Sequence, residues 1–103
     1  MSIPSPHLSG AYVVFNNIGF KHLIRKAKIR SKKEQIKRFG LLKHAPEILK
    51  DPNATVSYRN KFRDGRIVHY WSFSKEKDGR EIRVIVRQIG NGVKHFYSVM
   101  DVH

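Results

Sequence analysis

Histidine is the residue type through which this 103-residue chain could transfer protons near neutral pH, since it has six histidines and no cysteine. There are only eight carboxylates, and no two of them have the spacing of a two-metal site. The histidines form no HxxxH or HxH pattern, and no P-loop or Gly-rich dinucleotide signature is present. We therefore expect a site that works without a metal or another cofactor.

His22 is the first candidate for acid–base chemistry, because it lies in an expected helix between Lys21 and Arg25. Neighbouring cations favour the neutral imidazole, which suits a general base near neutral pH. A lone helical histidine is more often a surface or boundary residue, so the assignment needs support from the rest of the chain.

His69 and His95 are the second-tier candidates. By strand alternation both are expected on the apolar face of the predicted sheet, in one row with Asn60 and Gln88. That polar row is either a hydrogen-bonded network or a site at the rim between the helices and the sheet. The sequence leaves both interpretations open.

Three dipeptides divide the second half of the chain: Asp64-Gly65, Asp78-Gly79 and Asn91-Gly92. Each suits a two-residue type I′ turn, which needs φ > 0 at both central positions. Three such turns predict four antiparallel strands, at about 55–63, 66–76, 81–90 and 93–102.

The turns also fix the register, pairing residues 63 with 66, 77 with 80 and 90 with 93. One face, which carries Trp71 and Val84, is then apolar and must be covered. The other face is expected to lack carboxylates, with a middle row of Arg59, Tyr70, Arg87 and Phe96, and to carry Lys61, Arg83, Lys94 and Ser98 as well. Such a face suits an anion, although a merely solvated sheet face remains the alternative.

The first half of the chain has a helical character. Apolar residues at the 3.6 period predict a helix over 17–29, a capping box predicts another over 32–43, and Pro46 begins a third that ends near Lys50. Residues 1–16 are expected to be a lead-in with a possible short strand at 11–15. The prediction is an α+β fold, in which N-terminal helices (17–50) pack on one face of a four-stranded antiparallel β-meander (55–102), within a single domain over 17–103.

The charge balance indicates a polyanionic partner, since 21 Lys and Arg against 8 Asp and Glu give a net charge of +13. Residues 21–50 hold 11 of the cations against Glu34 and Glu47. A ridge of cations there would bind phosphate without reading sequence, the alternative being a solvated face. Its members are Lys21, Arg25, Lys26, Arg30 and Lys33. No apolar run approaches the roughly 18 residues of a membrane-spanning helix, so we expect no membrane insertion by this domain.

RNA cleavage through the substrate's own 2′-hydroxyl fits these residues, because it needs a base, an acid and cations but no metal. The residues expected to fill these catalytic roles are His22, Arg59, Tyr70, Arg87 and Ser98. His22 transfers protons, Arg59 and Arg87 hold the phosphate, and Ser98 hydrogen-bonds it. Tyr70 and Phe96 could also stack bases. A non-enzymatic RNA- or DNA-binding module and a basic adaptor for an acidic protein are the alternatives.

Three stretches carry a resemblance to a known family: residues 21–25, residues 44–53 with Pro46-Glu47-Ile48-Leu49, and residues 94–100. They resemble the superfamily that groups barnase, EndoU, cytotoxic colicins and RelE, in its branch of phage proteins and bacterial polymorphic toxins. The resemblance assigns the helix histidine to His22 and the last-strand hydroxyl to Ser98. The chain departs from the pattern at Met100, where many relatives have an aromatic residue.

The resemblance implies a metal-independent ribonuclease toxin of the kind used in contact-dependent growth inhibition. We expect its substrate to be tRNA or ribosome-associated RNA. Such a domain is delivered as part of a larger effector and acts in the cytoplasm of the target cell. It would be a monomer when free and would be neutralised by an immunity protein. Because the toxin carries a charge of +13, we expect the immunity protein to be acidic.

Overall fold

The computed structural model describes residues 2–15 and 40–102, and most of them belong to one mixed β-sheet. Its strands are β1 (Ser2–Pro4), β2 (Tyr12–Val14), β3 (Thr55–Arg63), β4 (Arg66–Lys77), β5 (Arg80–Ile89) and β6 (Lys94–Val102). Their spatial order is β1-β2-β6-β5-β4-β3. Strand β3 therefore forms one outer edge of the sheet and β1 the other.

The first two hairpins have the turns that the sequence predicts. Asp64 and Gly65 have φ values of 52° and 76°, and Asp78 and Gly79 have values of 52° and 78°. Both central residues of each turn are thus left-handed, as a type I′ turn requires. The pairs 63–66 and 77–80 follow, and β3, β4 and β5 keep the predicted register throughout.

The third connection differs from the prediction, because it is a four-residue loop rather than a two-residue turn at Asn91-Gly92. Gly90 takes the left-handed conformation with φ 56°, and the Gly92 N–H donates to the Ile89 carbonyl at 2.9 Å. Near this loop β6 is displaced by one residue from the predicted register, so that Arg87 pairs with His95.

A β-bulge at Tyr97 restores the predicted register farther along β6. Val86 pairs with Phe96 and Ile85 with Ser98, which leaves Tyr97 as the extra residue. Phe96 is fully buried and stacks on Phe15 with ring centroids 4.9 Å apart. The bulge therefore buries the wholly apolar ring and leaves the hydroxyl-bearing ring of Tyr97 on the opposite face.

The segment expected to be a lead-in contributes two strands. β1 pairs antiparallel with β2, and β2 runs parallel to β6, which makes the sheet mixed. Val13 of β2 is fully buried and Ile3 of β1 nearly so, because both belong to the main core. A 3-10 turn at Pro6–Leu8 connects the two strands.

A short helical segment covers part of the apolar face of the sheet. A 3-10 turn at Leu42–His44 leads directly into helix α1 (Ala45–Lys50), whose Ile48 and Leu49 are fully buried. They belong to one core with the apolar residues of the sheet, including Phe73, Ile82, Val84, Val86 and Val99. Ion pairs from Lys75 to Asp51 at 3.5 Å and from Lys77 to Glu47 at 3.4 Å connect this segment to β4.

The predicted fold class is wrong. The described residues form mostly a six-stranded mixed sheet with one short helical segment after the first strands, rather than N-terminal helices on a four-stranded meander. The prediction missed β1, because a three-residue strand carries little periodicity. The possible short strand at 11–15 corresponds to β2, but its parallel pairing with β6 joins distant parts of the chain and was not predicted. The helix expected over 17–29 lies outside the described residues, as do residues 32–39 of the helix expected over 32–43. Within the described ranges, no helix is long and apolar enough to cross a membrane.

Phe73 and Phe62 provide a matched test of the covered and uncovered parts of the apolar face, since both lie on that face but Phe73 is fully buried and Phe62 is 76% exposed. We expect Phe73→Ala to lower the free energy of unfolding by about 3–5 kcal/mol, because it leaves a cavity in the core. Phe62→Ala should change it by less than about 0.5 kcal/mol. Urea unfolding of both variants measures this, and equal losses would contradict the assignment of the core.

Candidate functional site

Cations gather on the face of the sheet opposite α1, which we call the basic face. Arg59, Lys61 and Arg63 alternate onto it from β3, while Arg66 of β4 and Arg87 of β5 pair into the same face. An open depression of about 580 Å³ lies at the end of the basic face next to the turn between β3 and β4. It is lined by Arg63, Asp64, Arg66, Val68, Tyr70, Arg87 and Ile89.

Two tyrosine rings support three of these cations. The Arg59 guanidinium lies 5.6 Å and the Lys61 ammonium 6.0 Å from the centroid of the Tyr70 ring. The Arg87 guanidinium lies over Tyr97 at 4.3 Å, and the two tyrosines meet edge to face at 6.0 Å. Because an aromatic face attracts a cation, the rings hold these charges close to the sheet instead of leaving them free in solvent.

His95 is buried beside Arg87 on this face. The Arg87 Nε–H donates to His95 Nε2 at 3.3 Å. Since Arg Nε can only donate, Nε2 must carry a lone pair, which makes the ring neutral with its proton on Nδ1. Burial lowers the pKa of His95, and the charge of Arg87 lowers it further, while a hydrogen bond with the Val93 backbone acts in the opposite direction. The geometry and the pKa thus agree on a neutral imidazole near pH 7.

The same contacts fix the orientation of Arg87. His95 holds its Nε, and the Tyr97 ring lies against its plane. The remaining four N–H donors of a guanidinium sit on its two terminal nitrogens, in a fork that matches two oxygens of a phosphate. Arg87 also lines the depression, so this arrangement can bind a phosphate with little loss of side-chain entropy.

The structure brings most of the predicted site residues together. Arg59, Tyr70 and Arg87 form one row across three strands, as predicted. His95 completes that row in place of Phe96, because of the displaced register. Ser98 stands opposite Ile85 on the same face and is nearly buried. Arg83 of β5 also lies on this face, where it pairs with Ser74 of β4 and Met100 of β6, away from the depression.

Three predicted site residues lie elsewhere. Phe96, expected to stack bases on the basic face, is in the core. Lys94, expected on the basic face, lies over the Trp71 ring on the opposite face, 5.4 Å from its centroid. His69 is also on that opposite face, where its ring contacts those of Tyr58 and Trp71. It stands in a row with Asn60 and Gln88 that His95 does not join.

The candidate His22 and the cations Lys21, Arg25, Lys26, Arg30 and Lys33 lie outside the described residues. His22 therefore stays a prediction from sequence. Among the described histidines, His95 is the one that lies beside the cations of the depression.

The basic face is not free of carboxylates, contrary to expectation. Glu76 of β4 and Glu81 of β5 pair on this side of the sheet. Glu76 lies six residues along β4 from Tyr70, a distance of about 20 Å at the rise per residue of a strand. The positive depression is thus confined to the end of the face near Arg63 and Arg66.

Sequence reasoning missed the pairing of His95 with Arg87 and the place of Tyr97. One signal was present, because strict alternation along residues 94–98 buries His95 and Tyr97 and exposes Phe96. Burying two polar rings to expose an apolar one is unfavourable, and a bulge relieves the conflict. Arg63 and Arg66 were assigned only as residues flanking a turn.

Comparison with known proteins adds no relative. No family model matches the chain, and no match was found among the curated proteins or among the solved structures. Within the described ranges, no group of three or more His, Cys, Asp or Glu side chains could hold a metal ion.

The lowered pKa of His95 predicts a pH dependence of stability. Between the folded pKa and the unfolded value near 6.5, the unfolded chain binds more protons, so stability rises with pH and is lost as the pH falls below about 6.5. We expect His95→Asn to reduce this loss between about pH 7 and about pH 5. Urea midpoints of both proteins across that interval measure it. An identical slope in His95→Asn would contradict a depressed pKa at this residue.

Proposed function

We propose that this protein is a metal-independent endoribonuclease whose site is the depression on the basic face. The observation that supports it is the position of Arg87, held between His95 and Tyr97 with its terminal nitrogens available to the depression. A fixed guanidinium beside a neutral, buried imidazole provides charge stabilisation and a proton acceptor at one point. These are the two functions that cleavage by a 2′-hydroxyl needs most.

The reaction would begin with attack of the 2′-oxygen of a ribose on the adjacent phosphorus. When the phosphate binds, the Arg87 Nε–H leaves His95 Nε2 while the Tyr97 ring still supports the guanidinium, and the freed Nε2 accepts the 2′-hydroxyl proton. The Tyr70 hydroxyl, in the same depression, gives a proton to the departing 5′-oxygen. The products are a 2′,3′-cyclic phosphate and a 5′-hydroxyl, and solvent returns the proton from His95 to Tyr70.

The remaining cations of the basic face would hold the flanking phosphates. Arg59 and Lys61 lie on one side of Tyr70, while Arg63 and Arg66 pair across the end of the hairpin. Together with a net charge of +13, they favour association with a polyanion at a rate and affinity that depend on salt.

The biological setting proposed with this activity is that of a toxin domain, delivered to a target cell and acting there on RNA, most plausibly tRNA. Its partner would be an acidic immunity protein that covers the basic face. That charge complementarity would speed association and orient the inhibitor over Arg87 and its neighbours. This part of the proposal rests on the sequence resemblance and on the positive charge.

A non-catalytic RNA-binding role is the second candidate, and one observation favours it. In the free protein the lone pair of His95 Nε2 is occupied by the Arg87 Nε–H. If Arg87 keeps that bond when RNA is bound, the site has a phosphate fork but no free base. Cleavage and binding must therefore be measured separately.

Cleavage is tested by incubating the protein with total tRNA in EDTA and searching for fragment ends that carry a 2′,3′-cyclic phosphate. We expect His95→Gln to lose about 10²–10⁴ in rate with nearly unchanged RNA affinity, because the amide oxygen still accepts from Arg87 but cannot carry the proton. Arg87→Ala should lower both rate and affinity, whereas Lys50→Ala removes an exposed helix cation and should change neither.

His22→Ala is the competing variant in the same assay. Full activity in His22→Ala together with loss in folded His95→Gln supports the site on the basic face. The reverse result would move the chemistry to His22. If the wild-type protein binds RNA but produces no cleavage fragments, the non-catalytic RNA-binding role is supported instead.

Salt dependence tests the phosphate contacts separately from the chemistry. For single-stranded RNA, the logarithm of the binding constant should fall with the logarithm of salt concentration, with a slope of about −0.7 per phosphate contacted. Arg66→Ala should make this slope shallower by roughly 0.7, and Lys50→Ala should leave it unchanged. Fluorescence anisotropy over a salt series measures both. A slope near zero for the wild type would contradict a phosphate-binding face.

A further inference from the structure

Three rings contact one another on the face opposite the basic face and form a cluster that we call the aromatic platform: Tyr58, His69 and Trp71. Tyr58 and His69 lie 5.8 Å apart at 24°, His69 and Trp71 lie 5.8 Å apart at 23°, and Tyr58 and Trp71 lie 5.3 Å apart at 42°. The Tyr58 hydroxyl hydrogen-bonds His69 Nδ1, and the Asn60 amide donates to the same hydroxyl at 3.3 Å. The rings are thus held in a fixed arrangement before any ligand arrives.

The platform lies beyond the part of this face that α1 covers. Phe73 and Val84, which belong to one core with α1, are fully buried, whereas Tyr58 is 50% exposed. Farther toward the hairpin, Phe62 and Ile67 are 76% and 48% exposed. His69 and Trp71 are half-buried, and Trp71 packs against the core, so Tyr58 is the exposed ring of the platform. Its ordered ring, together with exposed Phe62 and Ile67, indicates a binding surface.

The surroundings of the platform fit a nucleobase on a charged strand. Lys94 Nζ lies 5.4 Å from the Trp71 centroid. The residues that pair around the rings on this face are Asn60, Gln88 and Val86, and none is acidic. Aromatic rings offer stacking, amides can hydrogen-bond a base edge, and the ammonium can attract a phosphate.

The tyrosines of the basic face cannot take that role. Tyr70 is only 8% exposed and lies beneath Arg59 and Lys61, and the face of Tyr97 is covered by Arg87. The basic face is therefore suited to phosphates, while the exposed ring surface lies on the other side of the sheet. Only the edge strand β3 separates the two.

We propose that a single-stranded RNA crosses the free edge of β3, so that its phosphates lie on the basic face and one base stacks on the aromatic platform. The inference rests on the proposed function and specifies its substrate class. Along β3, Arg59 and Lys61 point to one face while Tyr58 and Asn60 point to the other, and among the described residues no strand pairs with its outer side. A paired duplex cannot take this path, because its bases are held in their own stack.

The chain's single tryptophan is Trp71, so its fluorescence reports directly on the platform. The probe is a 2′-O-methyl oligouridylate, which binds like RNA but lacks the attacking hydroxyl. Its control is an abasic oligomer of the same length and backbone, which offers phosphates without bases. We expect the oligouridylate to quench Trp71 and the abasic oligomer to bind without quenching.

Variants separate the platform from the rest of the surface. Tyr58→Ala should weaken oligouridylate binding about tenfold and leave abasic binding unchanged, as the loss of one stacking ring predicts. Tyr12→Ala is the matched control, because Tyr12 is a 63% exposed tyrosine on β2, away from this edge. It should change neither affinity.

The outcomes distinguish this inference from the proposed function. The proposal that a base stacks on the platform is overturned if both oligomers bind equally, Trp71 is not quenched and Tyr58→Ala has no effect. The basic face would then remain as a phosphate site. Failure of both oligomers to bind overturns both proposals. Quenching of Trp71 by an acidic protein but not by the oligouridylate would assign the platform to a protein partner, and would overturn the inference.

Discussion

The burial of Phe96 determines the chemistry of the opposite face of the sheet. Strand β6 must place one ring in the core, and the bulge at Tyr97 lets that ring be Phe96, stacked on Phe15. The same displacement turns His95 toward Arg87 and leaves Tyr97 beneath the guanidinium. One extra residue in a strand thus brings an imidazole, a guanidinium and a phenol together, whereas a regular strand would have separated them.

The contact between His95 and Arg87 is stable because only one of the two groups is charged. A protonated imidazole could not accept the Arg87 Nε–H and would repel the guanidinium, so burial and the neighbouring charge both keep the ring neutral. The neutral ring in turn supplies the acceptor that orients Arg87. Binding of a phosphate would reverse the balance, because an anion beside the pair stabilises an imidazolium. Under the proposed function, this pair would take up a proton when a phosphate binds beside it.

Local turn chemistry was the most predictable part of the fold. The Asp-Gly pairs at 64–65 and 78–79 fix the register of β3, β4 and β5, so the row from Arg59 through Tyr70 to Arg87 could be derived from sequence. The conformation of the third turn could not be derived from sequence, since Gly90 offers an alternative left-handed position one residue before Asn91. The parallel pairing of β2 with β6 was also beyond reach, because it depends on a contact between distant segments. The errors meet in β6, which is why Phe96 and Lys94 were assigned to the wrong face.

The free edge of β3 connects the two faces that the sheet otherwise separates. An exposed edge strand carries unpaired backbone groups and invites association, and cationic side chains such as Arg59, Lys61 and Arg63 reduce that hazard by repelling a second copy. The same cations attract a polyanion, so protection of the edge and recognition of a ligand use one set of charges. Because side chains alternate along a strand, every cation on the basic face has an uncharged neighbour on the other face. Tyr58 and Asn60 take those places beside Arg59, so a ligand attracted by the charge reaches ordered rings within one residue of the strand.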